Sequence, residues 1–167
     1  MSRKRKQAQQ RQHARQRARR WWTLTGVGVV LVALVAIGVT GREAHGQAIT
    51  VWKSPTCGCC TGWVAYLREH GFDVTVHEVQ DLTPVNARLG VPNAALSCHT
   101  AEVGGYAVEG HVPVEDIERL LTERPPVGGI AAPGMPGGSP GMESAPYAPY
   151  SVVTFDNGGA LEVFAQH

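Results

Sequence analysis

Basic residues are scarce over most of this chain, and acidic residues are missing from its start. Of the 15 Lys and Arg in 167 residues, nine lie within positions 1–20, where there is no Asp or Glu; from Trp21 onward six bases face 14 acids. The resulting net charge of −8 on the larger part disfavours a nucleic-acid role there, because a phosphate backbone demands a basic face. Cysteine is scarce as well. With only four, at Cys57, Cys59, Cys60 and Cys98, the chain is no disulfide-dense miniprotein and has to bury an ordinary core. Residues 21–40 carry no charge at all.

That uncharged stretch is rich in Val, Leu, Ala and Gly and directly follows the basic one, the combination of an export signal or a membrane anchor. A secretory apolar segment runs to about 7–15 residues and a spanning helix needs about 20, so this one sits between the two. Small residues at Ala44 and Gly46, or at Gly46 and Ala48, offer cleavage sites, and Arg19-Arg20-Trp21-Trp22 faintly resembles a twin-arginine signal. The positive-inside rule keeps the basic end in the cytoplasm and sends the rest across the inner membrane. Residues 1–47 are therefore predicted to be a basic leader with a signal peptide or an apolar anchoring helix at 21–40. The remainder is predicted to be exported, periplasmic or extracytoplasmic, with membrane contact through that helix only. Thiols in such an oxidising compartment have to be protected, metal-bound or redox-active.

Residues 48–125 read as one α/β domain. AITVWK (48–53) is a short strand stopped by Ser54-Pro55 and feeding the cysteines, and Cys60, Val64 and Leu67 follow at helical spacing up to Gly71. Cys57 then stands at or just before the helix N-terminus. FDVTVHEV (72–79) alternates like a half-buried strand, and Thr83-Pro84 opens a short helix with Thr83 as its cap and Leu89-Gly90 as its end. Val91-Pro92 introduces a strand over 94–97 leading to Cys98, residues 106–109 form another, and Val114, Ile117, Leu120 and Leu121 make the stripe of a last helix stopped by Arg124-Pro125. The predicted order is βαβαββα. Residues 126–149 are half Gly or Pro and read as a loop or wrapping segment without regular structure. Residues 150–167 read as a β-hairpin around Asp156-Asn157-Gly158-Gly159, packing on the domain.

A strand, then Cys-x-x-Cys at a helix start, then βα, Val-Pro, a β-hairpin and a closing helix is the layout of the thioredoxin-like fold, with Pro92 resembling its cis-proline. The helix N-terminus favours thiolate over thiol. A thiol–disulfide oxidoreductase would use Cys57 as nucleophile and Cys60 as resolving thiol, but Cys59 is then a third thiol that could intercept either partner, and Cys98 a fourth close to the cis-proline position. As ligands they fit better, since thiolates select Cu(I), Zn(II) or iron–sulfur clusters. Zinc is the next candidate, in a zinc- or disulfide-stabilised interaction domain. It lacks a second Cys-x2-4-Cys knuckle, and adjacent Cys59 and Cys60 are expected to have difficulty addressing one centre. Cu(I) accepts two or three thiolates and lets sulfur bridge several ions, which suits crowded cysteines. His99, beside Cys98, and His111, in the turn before the last helix, are candidate ligands, whereas His70 and His77 read as ordinary surface residues. Met135 and Met142, in similar Gly-Met settings, are further candidates as thioether ligands or a lid.

Several separated motifs carry one resemblance: Lys53-Ser-Pro-Thr-Cys-Gly-Cys-Cys60, Ser97-Cys-His-Thr-Ala101, Gly105-Tyr106 with Glu109-Gly-His-Val-Pro113, and Pro133-Gly-Met-Pro136 through Gly141-Met-Glu143. Together they resemble the CopG-like periplasmic metal-binding family, from about Val51 to the C-terminus. The resemblance implies a thioredoxin-like fold, a role in bacterial copper resistance, and a polynuclear Cu(I) site on Cys57, Cys59, Cys60 and Cys98, with His99 and His111 beside them. It also suggests interconversion of Cu(I) and Cu(II), the activity of a copper oxidoreductase. Copper ions and a copper exporter or chaperone are the partners it implies.

Overall fold

Residues 46–156 and 158–167 are described by a computed structural model. The basic leader and the apolar run at 21–40 lie outside the described residues, and among those described no helix is long and apolar enough to cross a membrane.

The described residues form a mixed α/β fold of seven strands and three α-helices in the order β1 (Ala48–Lys53), α1 (Gly58–Glu69), β2 (Asp73–Glu78), α2 (Thr83–Leu89), β3 (His99–Val103), β4 (Tyr106–Gly110), α3 (Val114–Glu123), β5 (Gly129–Ala132), β6 (Ser151–Phe155) and β7 (Leu161–Gln166). The strands make one sheet, β2-β1-β3-β4-β5-β6-β7. β1 runs parallel to β2 and β4 parallel to β5, and each parallel pair is joined through a helix, as parallel neighbours require. The other adjacent strands pair antiparallel, and β6 and β7 form the expected hairpin, with a register shift at Val152/Val153.

Side-chain periodicity explains how the layers meet. In β1 the buried positions alternate, Ile49, Val51 and Lys53, and the first two face Trp63, Val64 and Leu67 of α1. Ile117 and Leu120 of α3, Val108 of β4 and Ile130 of β5 join the same cluster. Burying a side chain such as Leu67 or Ile117 contributes about 1.5–3 kcal/mol, which holds both helices to one face of the sheet. Val91, Ala95, Ala107, Ala131 and Phe155 pack on the other face.

Three sequence expectations are corrected. The strand expected at 94–97 is a 3-10 turn, Asn93–Ala95: Ala95 tucks into the second cluster, and the Ser97 N–H is taken by the Glu109 side chain, so no ladder runs through it. Within 126–149, residues Gly129–Ala132 are a fully buried strand. Its glycine reads as a loop signal, yet it is there because a Cβ at Gly129 would overlap the Ala107 carbonyl of β4. Thr83 does not cap α2; Leu82 holds that place, and the Asp81 carboxylate accepts the Thr83 N–H at 2.8 Å. The isomer of the Val91–Pro92 bond, which the sequence leaves open, is trans, since the described residues contain no cis peptide, and the 3-10 turn separates Pro92 from β3.

Candidate metal centre

The turn between β1 and α1 delivers the first three thiols. The Cys57 N–H donates to the Ser54 carbonyl at 3.2 Å, closing the Ser54-Pro55-Thr56 turn, and Cys57 becomes the N-cap of α1 with its sulfur accepting the Cys60 N–H at 3.3 Å. No acidic side chain occupies the first turn of the helix, so its positive dipole end acts on sulfur alone. Cys57 and Cys60 are joined as a disulfide with their Cα atoms 5.4 Å apart, and Cys59 and Cys98 are free. The Cys59 sulfur lies 3.5 Å from that of Cys57. Cys98 arrives from the opposite direction, immediately before β3, and its backbone carbonyl lies 3.4 Å from the Cys60 sulfur.

All four sulfurs fall within 4.8 Å of one another. This corrects the expectation that adjacent Cys59 and Cys60 have difficulty addressing one centre. Cys60 is fully buried, Cys59 is half-buried with its sulfur beside that of Cys57, and Cys98 is half-buried too. The objection to zinc on that ground falls away as well.

A second set shares Cys98: its sulfur, His99 and His111 also lie within 4.8 Å of one another. His111 Nδ1 is 2.7 Å from the Pro140 carbonyl, which can only accept, so that nitrogen carries the proton and Nε2 turns its lone pair to the Cys98 sulfur at 3.2 Å. His99 Nδ1 lies 3.4 Å from the same sulfur. Its Nε2 is buried without a hydrogen-bond partner among the described residues, with the ring 4.4 Å from Trp63 and edge-on to His111 at 4.9 Å.

Burial sets the protonation of this group. It pushes His99 down to about 3, with His111 and the Lys53 ammonium adding to the effect. His111 is also lowered by burial, partly offset by the Pro140 carbonyl and the Glu143 charge. Both rings are thus neutral near pH 7 and offer lone pairs. The Cys98 thiol is pushed up to about 11 by burial and by Cys59, so it holds its proton until a cation displaces it.

The Gly/Pro-rich stretch crosses the site as a strap. Gly134 accepts the Ser97 hydroxyl, Pro140 fixes His111, and Gly141, at φ +83°, lies so close to α1 that a Cβ would come 2.7 Å from the Cys59 carbonyl and the Trp63 nitrogen. The methionines ride on this strap, Met135 with its residue 57% exposed and Met142 half-buried. Gly141→Ala should therefore lift the strap, and alkylation of Cys59 and Cys98 by iodoacetamide should accelerate roughly threefold or more. Unchanged alkylation rates would mean that the strap does not screen the thiols.

Sequence reasoning gave no role to Lys53, Trp63, Ser97 and Glu109, although three of them stand in the motifs quoted above. Lys53 is buried and donates to the Ser54 carbonyl at 3.0 Å, placing a cation beside His99. Trp63 is buried, with its indole N–H on the Val112 carbonyl at 2.9 Å. Glu109 is the one carboxylate in the otherwise uncharged strand YAVEG, a signal that was there to be read. His70 and His77 stay on the surface, away from the cysteines.

Comparison with known proteins adds three findings. The family described as "Protein of unknown function, DUF411" matches residues 95–142, from the 3-10 turn through the strap. Two solved structures titled copper resistance protein copG, Form 1 and Form 2, are each 44% identical to this chain with a TM-score of 0.69; they cover 74% of it, and it covers 98% and 99% of them. No curated protein matches the sequence.

Proposed function

The chain belongs to the CopG copper resistance family, and from that premise we propose that its exported part holds Cu(I) in a polynuclear site bridged by the thiolates of Cys57, Cys59, Cys60 and Cys98, with His99 and His111 alongside. The observation that carries this reading is the meeting of four sulfurs within 4.8 Å at a helix N-terminus, next to two imidazoles kept neutral by burial. Soft, deprotonated sulfur favours Cu(I) over hard cations, and one sulfur can serve more than one ion.

The strand order β2-β1-β3-β4 with α1 and α3 on one face supports a thioredoxin-like core spanning 48–125, onto which the strap at 126–149 and the hairpin at 150–167 are added. The leader at 1–47 would export the domain to the periplasm, as a cleaved signal or an inner-membrane anchor. The basic segment ahead of an uncharged one supports this. A copper exporter or chaperone would then be the partner that delivers or receives the ion.

Loading requires the Cys57–Cys60 bond to be open. Two electrons from a dithiol donor, itself oxidised to a disulfide, convert that bond into two thiolates. Cys98 gives up its proton on binding, and the helix dipole stabilises the charge that collects on Cys57. When bound, copper supplies one-electron chemistry between Cu(I) and Cu(II). The thiolates favour the reduced ion, and Met135 and Met142 on the strap would add soft thioether donors.

A second reading draws on a specific observation, the disulfide itself: thiol–disulfide exchange with Cys57 as nucleophile and Cys60 as resolving thiol. Titration of the full-length protein, reduced and anaerobic, with Cu(I) and separately with Zn(II), separates the readings. More than one tightly held Cu(I) per chain is expected. One Zn(II) held in preference, or no metal together with insulin-reductase activity, would overturn the proposal.

A further inference from the structure

The thiol that completes the cluster is the one not carried by α1, and its position depends on a neighbour that holds no metal. Glu109 of β4 has no exposed surface; its Oε1 accepts the Ser97 N–H at 2.7 Å, and its Oε2 has no partner among the described residues. The next residue, Gly110, has φ +75°, and a Cβ there would come within 2.7 Å of the Ser97 Cβ and Oγ. The residue after that is His111. Ser97 in turn donates its hydroxyl to the Gly134 carbonyl of the strap.

Three consecutive residues at the end of β4 thus supply an anchor for the Ser97 amide, room for its side chain, and the imidazole that faces Cys98. The residues before β3 form no strand ladder, so the Leu96–Ser97 peptide that leads into Cys98 is held by these contacts rather than by the sheet. A buried carboxylate is costly, and an apolar residue would fill the same strand position without that cost. Retaining it makes sense where the direction of one hydrogen bond matters more than the burial.

We propose that Glu109 is the positioning residue of the metal centre: by holding the Ser97 amide it aims the Cys98 thiol at the turn of Cys57 to Cys60 and at His111. The metal consequence rests on the copper-binding reading; the clamp itself does not. In the full-length protein Glu109→Leu removes the acceptor, whereas Glu109→Gln keeps an amide oxygen in the same place. Two measurements decide. Cu(I) affinity, by competition with a chromophoric Cu(I) chelator, should fall about 10–100-fold in E109L and stay within about threefold of wild type in E109Q, the range seen when the support of a ligand is removed or kept. Hydrogen exchange at the Ser97 amide in the metal-free reduced protein should be slow in wild type and E109Q and at least ~10-fold faster in E109L.

Wild-type affinity in a folded E109L, or an E109Q as weak as E109L, would overturn the proposal, the second because the charge and not the hydrogen bond would then be what matters. If wild type itself takes up no Cu(I), the copper reading fails and the amide exchange alone decides the clamp. Should E109L not fold, protection of the Ser97 amide in both wild type and E109Q supports the clamp, and exchange at open-loop rates in wild type overturns it.

Discussion

Cys98→Ser is expected to lower both the number of Cu(I) ions held per chain and their affinity, the latter by more than about 100-fold, since it removes a ligand outright and outer-shell changes alone reach that range. Cys98 is the one sulfur brought to the cluster from the far side, and it is common to the four-cysteine set and the Cys98–His99–His111 set. Serine puts a hard oxygen where a soft, bridging donor stood, so His111 at 3.2 Å and His99 at 3.4 Å lose the atom that links them to the other three sulfurs. The change is close to isosteric at a half-buried position, and melting temperature should move little. Binding measured by competition, with metal counted per chain, gives the answer. A variant that keeps wild-type stoichiometry would remove Cys98 from the site. A variant that loses copper but reduces insulin as wild type does would separate the metal function from Cys57–Cys60 exchange.

Stability of the metal-free protein is expected to fall by about 3 kcal/mol as pH rises from 4.5 to 7, through Glu109 alone, whose carboxyl is pushed up by burial from 4.5 to about 7 against the opposing pull of the Ser97 N–H. In the unfolded chain this group has lost its proton well before pH 7, whereas the folded protein keeps it. Across that window the folded state binds more protons, so raising the pH favours unfolding. The contribution is fully present below pH 4.5 and gone once pH passes about 7. Asp116, also raised by burial, acts in the same direction, which is why the comparison should be made against Glu109→Gln. The glutamine variant cannot ionise. Urea unfolding at a series of pH values should show wild type and E109Q nearly equal at pH 4 and the variant more stable by up to about 3 kcal/mol above pH 7. Parallel curves at every pH would show that Glu109 titrates alike in the folded and unfolded protein.

Much of the architecture was legible because its signals are local. The alternation of Ile49 and Val51 marks β1, the spacing of Cys60, Val64 and Leu67 marks α1, and both elements stand where those patterns put them. The Gly/Pro-rich stretch was harder to read. Gly129 is a strand residue because another strand lies against it, and Gly141 is required because the strap touches α1; in sequence both look like the same loop glycine. The turn at Asn93–Ala95 was missed for a related reason, since the Ser97 amide is taken by a side chain 12 positions away.

By itself the sequence determined the fold class, the segregation of charge into the first 20 residues, and the four cysteines as the chemically distinctive residues, because each of these depends on composition or on short-range periodicity. Only the tertiary structure decided that Cys98, 38 positions from Cys60, reaches the same centre, that His111 turns Nε2 toward it, and that Glu109 takes the Ser97 amide while Pro140 of the strap meets His111. Those facts depend on which side chains burial brings together and on which backbone groups remain for them to bond, and chain order does not encode either.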